Sequence, residues 1–334
     1  EYFAERTRQA ASLPVYRLCF KDPGGLLTPE RTRTLVPLII QNSKGIPIEL
    51  HTHCTTGLGS LCSLEAIKLG IKTVNTAIPP LADASSNPSV FNVAKNARAL
   101  GYTPTVDEES LKAVAEHFTY IAKREGFPIG APVEYDYAQY LHQVPGGMVS
   151  NLRHQLRKVR MEEKVGEALD EAGHVRAEFG YPIMVTPLSQ FVGSQAAINV
   201  IVGERYKQVT DQVIQYALGL WGKEGSTSMD PNVKDKILSR PRAKELAKWE
   251  PPEPSIGEVR RKMGGRDVSD DELLLRWLLH KEEIEAMRAA GPPKEYLSAR
   301  HPLVTLVEEL TRRKEYRQIQ VQKPGFSLTL GKTG

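Results

Sequence analysis

Three repeats of one pattern occupy the first hundred residues, and they constrain the fold more than any other feature of the sequence. Each repeat joins a short run of β-forming residues, a loop rich in glycine or proline, and a stretch with helical periodicity. This alternation is typical of βαβ units on a parallel sheet, so the predicted class is α/β. Three strands are too few to close a barrel, and an open sheet of three would leave both edge strands unpaired. The three strands therefore indicate part of a larger sheet. The predicted strands are Val15–Phe20, Ile46–His53 and Thr73–Ile78.

After about residue 105 the pattern becomes helical. The segment Asp107–Arg124 repeats apolar residues at helical spacing, and no strand-like alternation returns until the end of the chain. A proline-rich linker, Trp249–Pro254, precedes a small tail that ends in two strand-like runs, Tyr316–Gln322 and Phe326–Leu330. The sequence therefore predicts three regions, with boundaries at 1–105, 106–245 and 246–334.

Composition excludes several classes of protein. The chain has 44 Lys and Arg against 40 Asp and Glu, a net charge of +4 that is too balanced for a dedicated nucleic-acid binder. Its apolar runs are far shorter than the roughly 20 residues that span a bilayer, and no leader pattern opens the sequence. Three cysteines favour a reducing compartment. We therefore expect a cytoplasmic protein without a membrane segment or a nucleic-acid partner.

Two histidines at the end of the second predicted strand are the main candidates for chemistry. His51 and His53 are one residue apart, and alternate residues of a strand point to the same face, so both imidazoles can bind one divalent metal ion. The alternative is a pair of hydrogen-bonded histidines without a metal. The loop that follows lies at the carboxyl end of the strand, where α/β barrels place their active sites.

Lys21 ends the preceding predicted strand in the same way. It could pair with Asp22 as an ordinary surface lysine. Burial beside a cation would instead favour the neutral amine, which can take up CO₂ and become a carbamate with metal-binding oxygens. The third predicted strand leads into a loop at Pro79–Pro88, whose serine hydroxyls could relay a proton. Ser86 or Asn87 could equally cap the next helix.

Several of these segments together resemble the carboxyltransferase component of biotin-dependent carboxylases and decarboxylases. That family includes pyruvate carboxylase, the oxaloacetate decarboxylase alpha subunit and transcarboxylase. The segments are Phe20–Leu27, Glu49–Gly57, Val74–Ile78, His142–Leu152 and Val185–Gln195. The last two segments distinguish this family from other barrels that share the His-x-His pair.

The resemblance implies a fold and a set of domains. Residues 1–105 would form strands six to eight of a (β/α)8 TIM-type barrel, which is the C-terminal portion of the carboxyltransferase barrel. Residues 106–245 would form an α-helical funnel domain, and residues 246–334 a small α+β tail. Barrel strands one to five, including an aspartate that completes the family's metal site, would come from outside this sequence.

The resemblance also implies the site residues and cofactors. His51, His53 and a carbamylated Lys21 would bind a divalent metal, Zn, Mn or Co. Lys21 would thus be catalytic, and so would Ser85, which matches the position of a proton-shuttling threonine in the family. Biotin would be supplied on a separate carrier, since no Met-Lys-Met hairpin suited to biotin attachment is readable.

The implied function is metal-dependent transfer of CO₂ between carboxybiotin and an enolisable acceptor, such as pyruvate, another 2-oxo acid or an acyl compound. The implied partners are the biotin carboxyl carrier protein, a biotin carboxylase subunit and a second chain that supplies strands one to five, in a homo-oligomer. Two alternatives stay open. One is a metal-dependent lyase or aldol-type synthase of the same barrel superfamily, and the other is a non-catalytic assembly subunit of a carboxylase complex.

Overall fold

A computed structural model describes residues 1–250, 253–296, 306–307, 310 and 318–331. The chain divides into two compact units, Glu1–Lys248 and Trp249–Gly334. Two residues of the predicted proline-rich linker, Pro251 and Pro252, lie outside the described residues, as do the first two residues of the strand-like run that begins at Tyr316. Within the described part of the chain, no helix is both long enough and apolar enough to span a membrane.

The first unit opens with the three predicted βα repeats. Strands β1, β2 and β3 form a parallel sheet in that order, which confirms the α/β class. The elements are α1 Tyr2–Ala10, β1 Leu18–Asp22, α2 Pro29–Asn42, β2 Ile48–Thr52, α3 Gly59–Lys68, β3 Thr73–Val74 and α4 Val90–Ala99.

Local sequence explains the start of α2. The Thr28 side chain accepts a hydrogen bond from the Arg31 amide, and Pro29 occupies the first turn, where its missing N–H costs nothing. On β2, Ile48 and Leu50 are buried in one cluster with residues of α2 and α3. The alternate residues of β2 therefore face the other side of the sheet, and His51 is among them.

β3 is shorter than the sequence predicted. Regular pairing ends at Val74, although the Asn75 amide still donates to the Leu50 carbonyl at 2.8 Å. Ala77 then forms an isolated bridge with Ser89. Ala77 thus pairs with the residue just before α4 and not with β2, so the predicted strand Thr73–Ile78 is correct only in its first residues.

The rest of the first unit is helical and has its own core. Its largest apolar cluster is built around α8 and α9 and includes Phe179, Val192 and Tyr216. The helices are α5 Glu108–Glu125, α6 Ala138–His142, α7 Gly146–Lys158, α8 Val165–Glu178, α9 Leu188–Val202, α10 Asp211–Ala217, α11 Lys223–Thr227, α12 Pro231–Leu238 and α13 Pro241–Leu246, with a 3-10 turn at Glu162–Lys164.

The described residues of the second unit include helices and a β-hairpin. Ser255 and Glu258 form a reciprocal capping box at the start of its first helix. The two strands are antiparallel and agree with the strand-like runs predicted from the sequence. The elements are α14 Ile256–Met263, α15 Asp270–Leu278, α16 Lys281–Ala289, β4 Gln318–Lys323 and β5 Phe326–Gly331.

Candidate active site

His51 and His53 face each other at the carboxyl end of β2. Their Nε2 atoms are 3.0 Å apart, and the ring centroids are separated by 5.1 Å. The period-two spacing of a strand produces this arrangement, as the sequence predicted. Two imidazole nitrogens at this separation point to one small volume.

The partners of the other ring nitrogens determine the tautomers. His53 Nδ1 lies 2.7 Å from the Ser85 carbonyl oxygen, which can only accept, so His53 Nδ1 carries the proton. His51 Nδ1 lies 2.9 Å from Asn75 Oδ1 and donates in the same way. In the neutral rings both Nε2 atoms therefore present lone pairs. Metal-binding histidines are commonly held by such contacts to carbonyl and carboxylate oxygens.

Burial lowers the pKa of His53, and the nearby ring of His51 adds to this effect, while the bond to the Ser85 carbonyl acts in the opposite direction. The net effect is a pKa below the ordinary value. The lowered pKa favours the neutral ring, which is the state that a metal ligand needs.

Lys21 lies beside His51 because the two residues are paired in the register of β1 and β2. Both line one cavity of about 510 Å³. The ion pair with Asp22 that the sequence allowed is not formed among the described residues. The Asp22 carboxylate is buried and instead accepts hydrogen bonds from the amides of Leu26 and Leu27 and from the Thr52 hydroxyl.

Glycine allows the loops after β1 and β2 to pack together. Gly25 has φ of +65°, and a Cβ atom there would lie 2.8 Å from the His53 carbonyl oxygen. A side chain at this position would push the Lys21 loop away from the histidine pair.

Ser85 lies on the loop after β3 and lines the same cavity. Neighbouring residues hold this loop against β2. The Cys54 amide donates to the Ser86 carbonyl at 2.8 Å, and Asn87 Nδ2 donates to the Thr52 carbonyl at 2.9 Å. The prediction that Ser86 or Asn87 caps the next helix is wrong, because α4 follows Ser89 and has no side-chain cap.

Two downstream segments also reach this cavity. Their residues were quoted from the sequence only as family motifs, and none was predicted as a site residue. The structure brings them together with the strand-end residues Lys21, His51, His53 and Ser85. The downstream residues that line the cavity are Pro145, Gly146, Gly147, Met148, Asn151, Met184, Val185, Thr186, Ser189 and Gln190.

The donor set at this position is incomplete within the described part of the chain. No group of three or more His, Cys, Asp or Glu side chains gathers there or elsewhere among the described residues. Two imidazoles and an adjacent lysine lie at the cavity, so a metal ion held there would need a further ligand from outside these residues.

Comparisons with known proteins agree with the resemblance stated from the motifs. A model of the conserved carboxylase domain matches residues 140–323, and the HMGL-like family model matches residues 1–117. A pyruvate carboxylase subunit of Methanocaldococcus jannaschii is 33% identical over 241 residues, which are 71% of this chain and 42% of that protein. The methylmalonyl-CoA carboxyltransferase 5S subunit of Propionibacterium freudenreichii subsp. shermanii is 31% identical over 75% of this chain and 51% of that protein.

The fold is also similar to a solved structure. The carboxyl transferase domain of Rhizobium etli pyruvate carboxylase, determined with pyruvate and biocytin, superposes with a TM-score of 0.74 at 21% identity. The match covers 87% of this chain and 51% of that one. The chain spans about half the length of the curated relatives it matches.

Proposed function

Since this chain belongs to the conserved carboxylase domain family, together with the pyruvate carboxylase subunit of Methanocaldococcus jannaschii, we propose that it is part of a biotin-dependent carboxyltransferase. It would move a carboxyl group between biotin on a separate carrier and an enolisable acceptor, such as pyruvate, another 2-oxo acid or an acyl compound. One observation carries the proposal. The histidine pair and both downstream carboxyltransferase motifs line a single cavity.

We also propose that the three-stranded sheet corresponds to strands six to eight of a (β/α)8 barrel. The parallel order of β1, β2 and β3 and the exposed edges of this small sheet support this view. Strands one to five would come from outside these residues. The helices after residue 105 would form the funnel through which tethered biotin enters.

His51 and His53 would hold a divalent ion, Zn²⁺, Mn²⁺ or Co²⁺, together with Lys21 in carbamylated form. The facing lone pairs of the two Nε2 atoms support this assignment. Lys21 is an exposed residue. Its ammonium would lose one proton, and the neutral amine would then add CO₂ with loss of a second proton, giving an oxygen ligand. The bound ion would stabilise the negative charge that develops on the acceptor carbonyl during enolisation.

Ser85 would carry the proton between the acceptor carbon and biotin. Ser85 lines the cavity, and its backbone carbonyl accepts the hydrogen bond from His53 Nδ1. A hydroxyl in a fixed loop can accept and donate a proton with little reorganisation. The Ser85 role therefore depends on the same loop that orients His53.

The proposed partners are a biotin carboxyl carrier protein, a biotin carboxylase subunit, a chain or segment with the remaining strands, and further copies of this chain. A metal-dependent lyase or aldol-type synthase is the second candidate, and the HMGL-like match to residues 1–117 favours it. The carboxylase-domain match to residues 140–323 argues against it. Carboxyl transfer that avidin inhibits would favour the carboxyltransferase over the lyase or synthase. The absence of any transfer activity would favour a non-catalytic assembly subunit.

Replacing both histidines tests the metal site. In the assembled enzyme, we expect His51→Ala combined with His53→Ala to lose bound metal and to slow carboxyl transfer by about 100-fold or more. Metal content is measured by inductively coupled plasma mass spectrometry, and transfer by carboxylation of pyruvate. His154→Ala, on the exposed surface of α7, is the matched control. Full metal occupancy in the double variant would contradict the assignment.

A further inference from the structure

The loop after β3 contains two consecutive residues in the left-handed backbone region. Asp83 has φ of +67° and Ala84 has φ of +49°, and Ser85 follows directly. Side chains make this conformation costly, and aspartate and asparagine tolerate it better than alanine does. Strained backbone of this kind persists only where surrounding contacts impose it, and it is frequent at functional sites. Contacts near Ala84 must therefore hold it in place.

Asp83 supplies such contacts, and the residue is only 9% exposed. Its Oδ1 atom accepts a hydrogen bond of 3.3 Å from the Ser89 amide, just before α4. The same oxygen lies 3.7 Å from the Cys54 thiol, which donates to it from the loop after β2. The Asp83 amide donates to the Asn87 carbonyl at 2.8 Å, and its carbonyl accepts from the Ser86 amide at 2.9 Å. One buried residue thus ties this loop to β2 and to α4.

The conformation of Ala84 determines where two groups of Ser85 lie. The Ser85 carbonyl accepts a hydrogen bond of 2.7 Å from His53 Nδ1, and Ser85 lines the cavity. Rotation of the backbone at Ala84 would move this carbonyl away from the imidazole and would also move the hydroxyl. The histidine partner and the hydroxyl therefore depend on the same two backbone angles.

We propose that Asp83 is a positioning residue that holds Ala84 in the left-handed conformation and thereby places the carbonyl and the hydroxyl of Ser85. The inference rests on the proposed function, in which Ser85 carries a proton. Asp83 is not among the described residues that line the cavity, so it acts through Ser85 and not on the substrate. A purely structural Asp83 would stabilise the fold without this specific link to Ala84.

The first test removes the Asp83 carboxylate in the assembled enzyme. Asp83→Ala deletes the acceptor and places a second alanine in the left-handed region, so the loop should relax. We expect the kcat of pyruvate carboxylation to fall about tenfold with little change in KM, since small displacements of reacting groups have large effects on rate. Hydrogen exchange of residues 83–87, measured by mass spectrometry, should become faster. Asp83→Asn keeps an acceptor oxygen and tolerates positive φ, so its kcat should stay close to that of the wild type.

The second test asks whether relief of the strain rescues the variant. Ala84→Gly removes the steric cost of the left-handed conformation. In the Asp83→Ala background it should return kcat to within about threefold of the wild type. Lys44→Gly is the matched control, because Lys44 has φ of +54° and is exposed at the opposite end of β2 from the cavity. It should raise the melting temperature of Asp83→Ala without restoring kcat.

These variants separate a positioning role from a structural one. If Asp83 only stabilised the fold, both glycine substitutions would restore kcat equally, and that result would overturn the proposal. Ala84→Val provides an independent approach if Asp83→Ala does not fold, because it raises the steric cost while the contacts of Asp83 remain. It should also speed exchange of residues 83–87 and lower kcat, and wild-type values for both would overturn the proposal.

Hydrogen exchange also separates this inference from the proposed function. Full carboxyl transfer in Ser85→Ala would refute the proton-carrying role of Ser85. Faster exchange in Asp83→Ala that Ala84→Gly reverses, and Lys44→Gly does not, would still support the positioning role of Asp83. Conversely, wild-type exchange in Asp83→Ala would overturn that role even if Ser85→Ala were inactive.

Discussion

His142 ends α6, three residues before the proline that precedes α7. Its Nδ1 atom accepts a hydrogen bond of 3.0 Å from the Val144 amide, so the ring is neutral in this arrangement. Burial lowers the pKa of His142, while the carboxylates of Asp136 and Asp170 act in the opposite direction. Protonation would place a second N–H against the amide and break the contact that shapes the entry to α7.

This arrangement predicts a pH dependence of stability. Because the folded-state pKa of His142 lies below its ordinary value of about 6.5, the unfolded chain binds more protons between the two values. His142 therefore stabilises the fold above about pH 6.5, and this contribution is lost as the pH falls through the folded-state pKa. A single group changes the free energy of unfolding by less than about 1.4 kcal/mol per pH unit.

The measurement is urea unfolding at pH 7 and pH 5. His142→Asn keeps an acceptor for the Val144 amide and removes the titrating ring, so we expect a smaller loss of stability between the two pH values than in the wild type. His154→Asn, exposed on α7, leaves the wild-type difference intact. An equal difference in His142→Asn and wild type would show that His142 does not contribute.

Only the features of the site that local backbone geometry determines could be predicted from the sequence. The spacing of His51 and His53 predicted their common face because strand geometry alone sets it. Their orienting partners lie 24 and 32 residues away, and one of them is the backbone carbonyl of Ser85, which side-chain chemistry does not reveal.

At the scale of elements, the start of α7 closely approaches the loop after β3 at Gly146. A Cβ atom at Gly146 would lie 2.7 Å from Ser85 Cβ, closer than side-chain carbons approach. Gly146 lacks a side chain at the point where two separate elements touch. This contact joins the βα repeats to the helical region of the first unit.

Gly146→Ala should therefore force the two elements apart. We expect a loss of about 1–3 kcal/mol in the free energy of unfolding, as for other overpacked sites. Carboxyl transfer should fall by about 100-fold, because small displacements of reacting groups have effects of this size. Urea unfolding and the transfer assay check the two expectations.

Two further variants isolate the contact. Gly166→Ala on α8 has no atom within 4 Å of the added carbon, so it should not lose stability. Adding Ser85→Gly to Gly146→Ala removes the opposing Cβ atom and should restore stability, while transfer stays low without the hydroxyl. A double variant that is no more stable than Gly146→Ala would exclude this contact as the cause.

Elements were predicted best where neighbouring residues determine them. The start of α2 is such a case, because Thr28 caps the helix and Pro29 occupies its first turn. The end of β3 was predicted poorly because it depends on the bridge between Ala77 and Ser89, a contact between distant residues. The periodicity of a segment predicts that an element exists, whereas the residue at which the element ends depends on contacts with other parts of the chain.

For the whole molecule, the distribution of buried apolar residues differs greatly between the two units. All three apolar core clusters lie between Leu27 and Leu246, inside the first unit. In the described part of the second unit, the buried apolar side chains are Val259, Leu273 and Ile284. Burial of apolar surface is the main favourable term in folding, so the two units should differ in intrinsic stability.

We therefore predict that the first unit does not need residues 249–334 to fold. Without them it should keep a cooperative thermal transition within about 2 °C of the first unit's transition in the full chain, a shift that corresponds to about 1 kcal/mol. The segment 249–334 alone should show no cooperative transition, because the apolar side chains buried among its described residues provide only a small core. Differential scanning calorimetry of the two pieces tests this. A 1–248 chain without a transition would show that residues 249–334 are needed to fold the first unit.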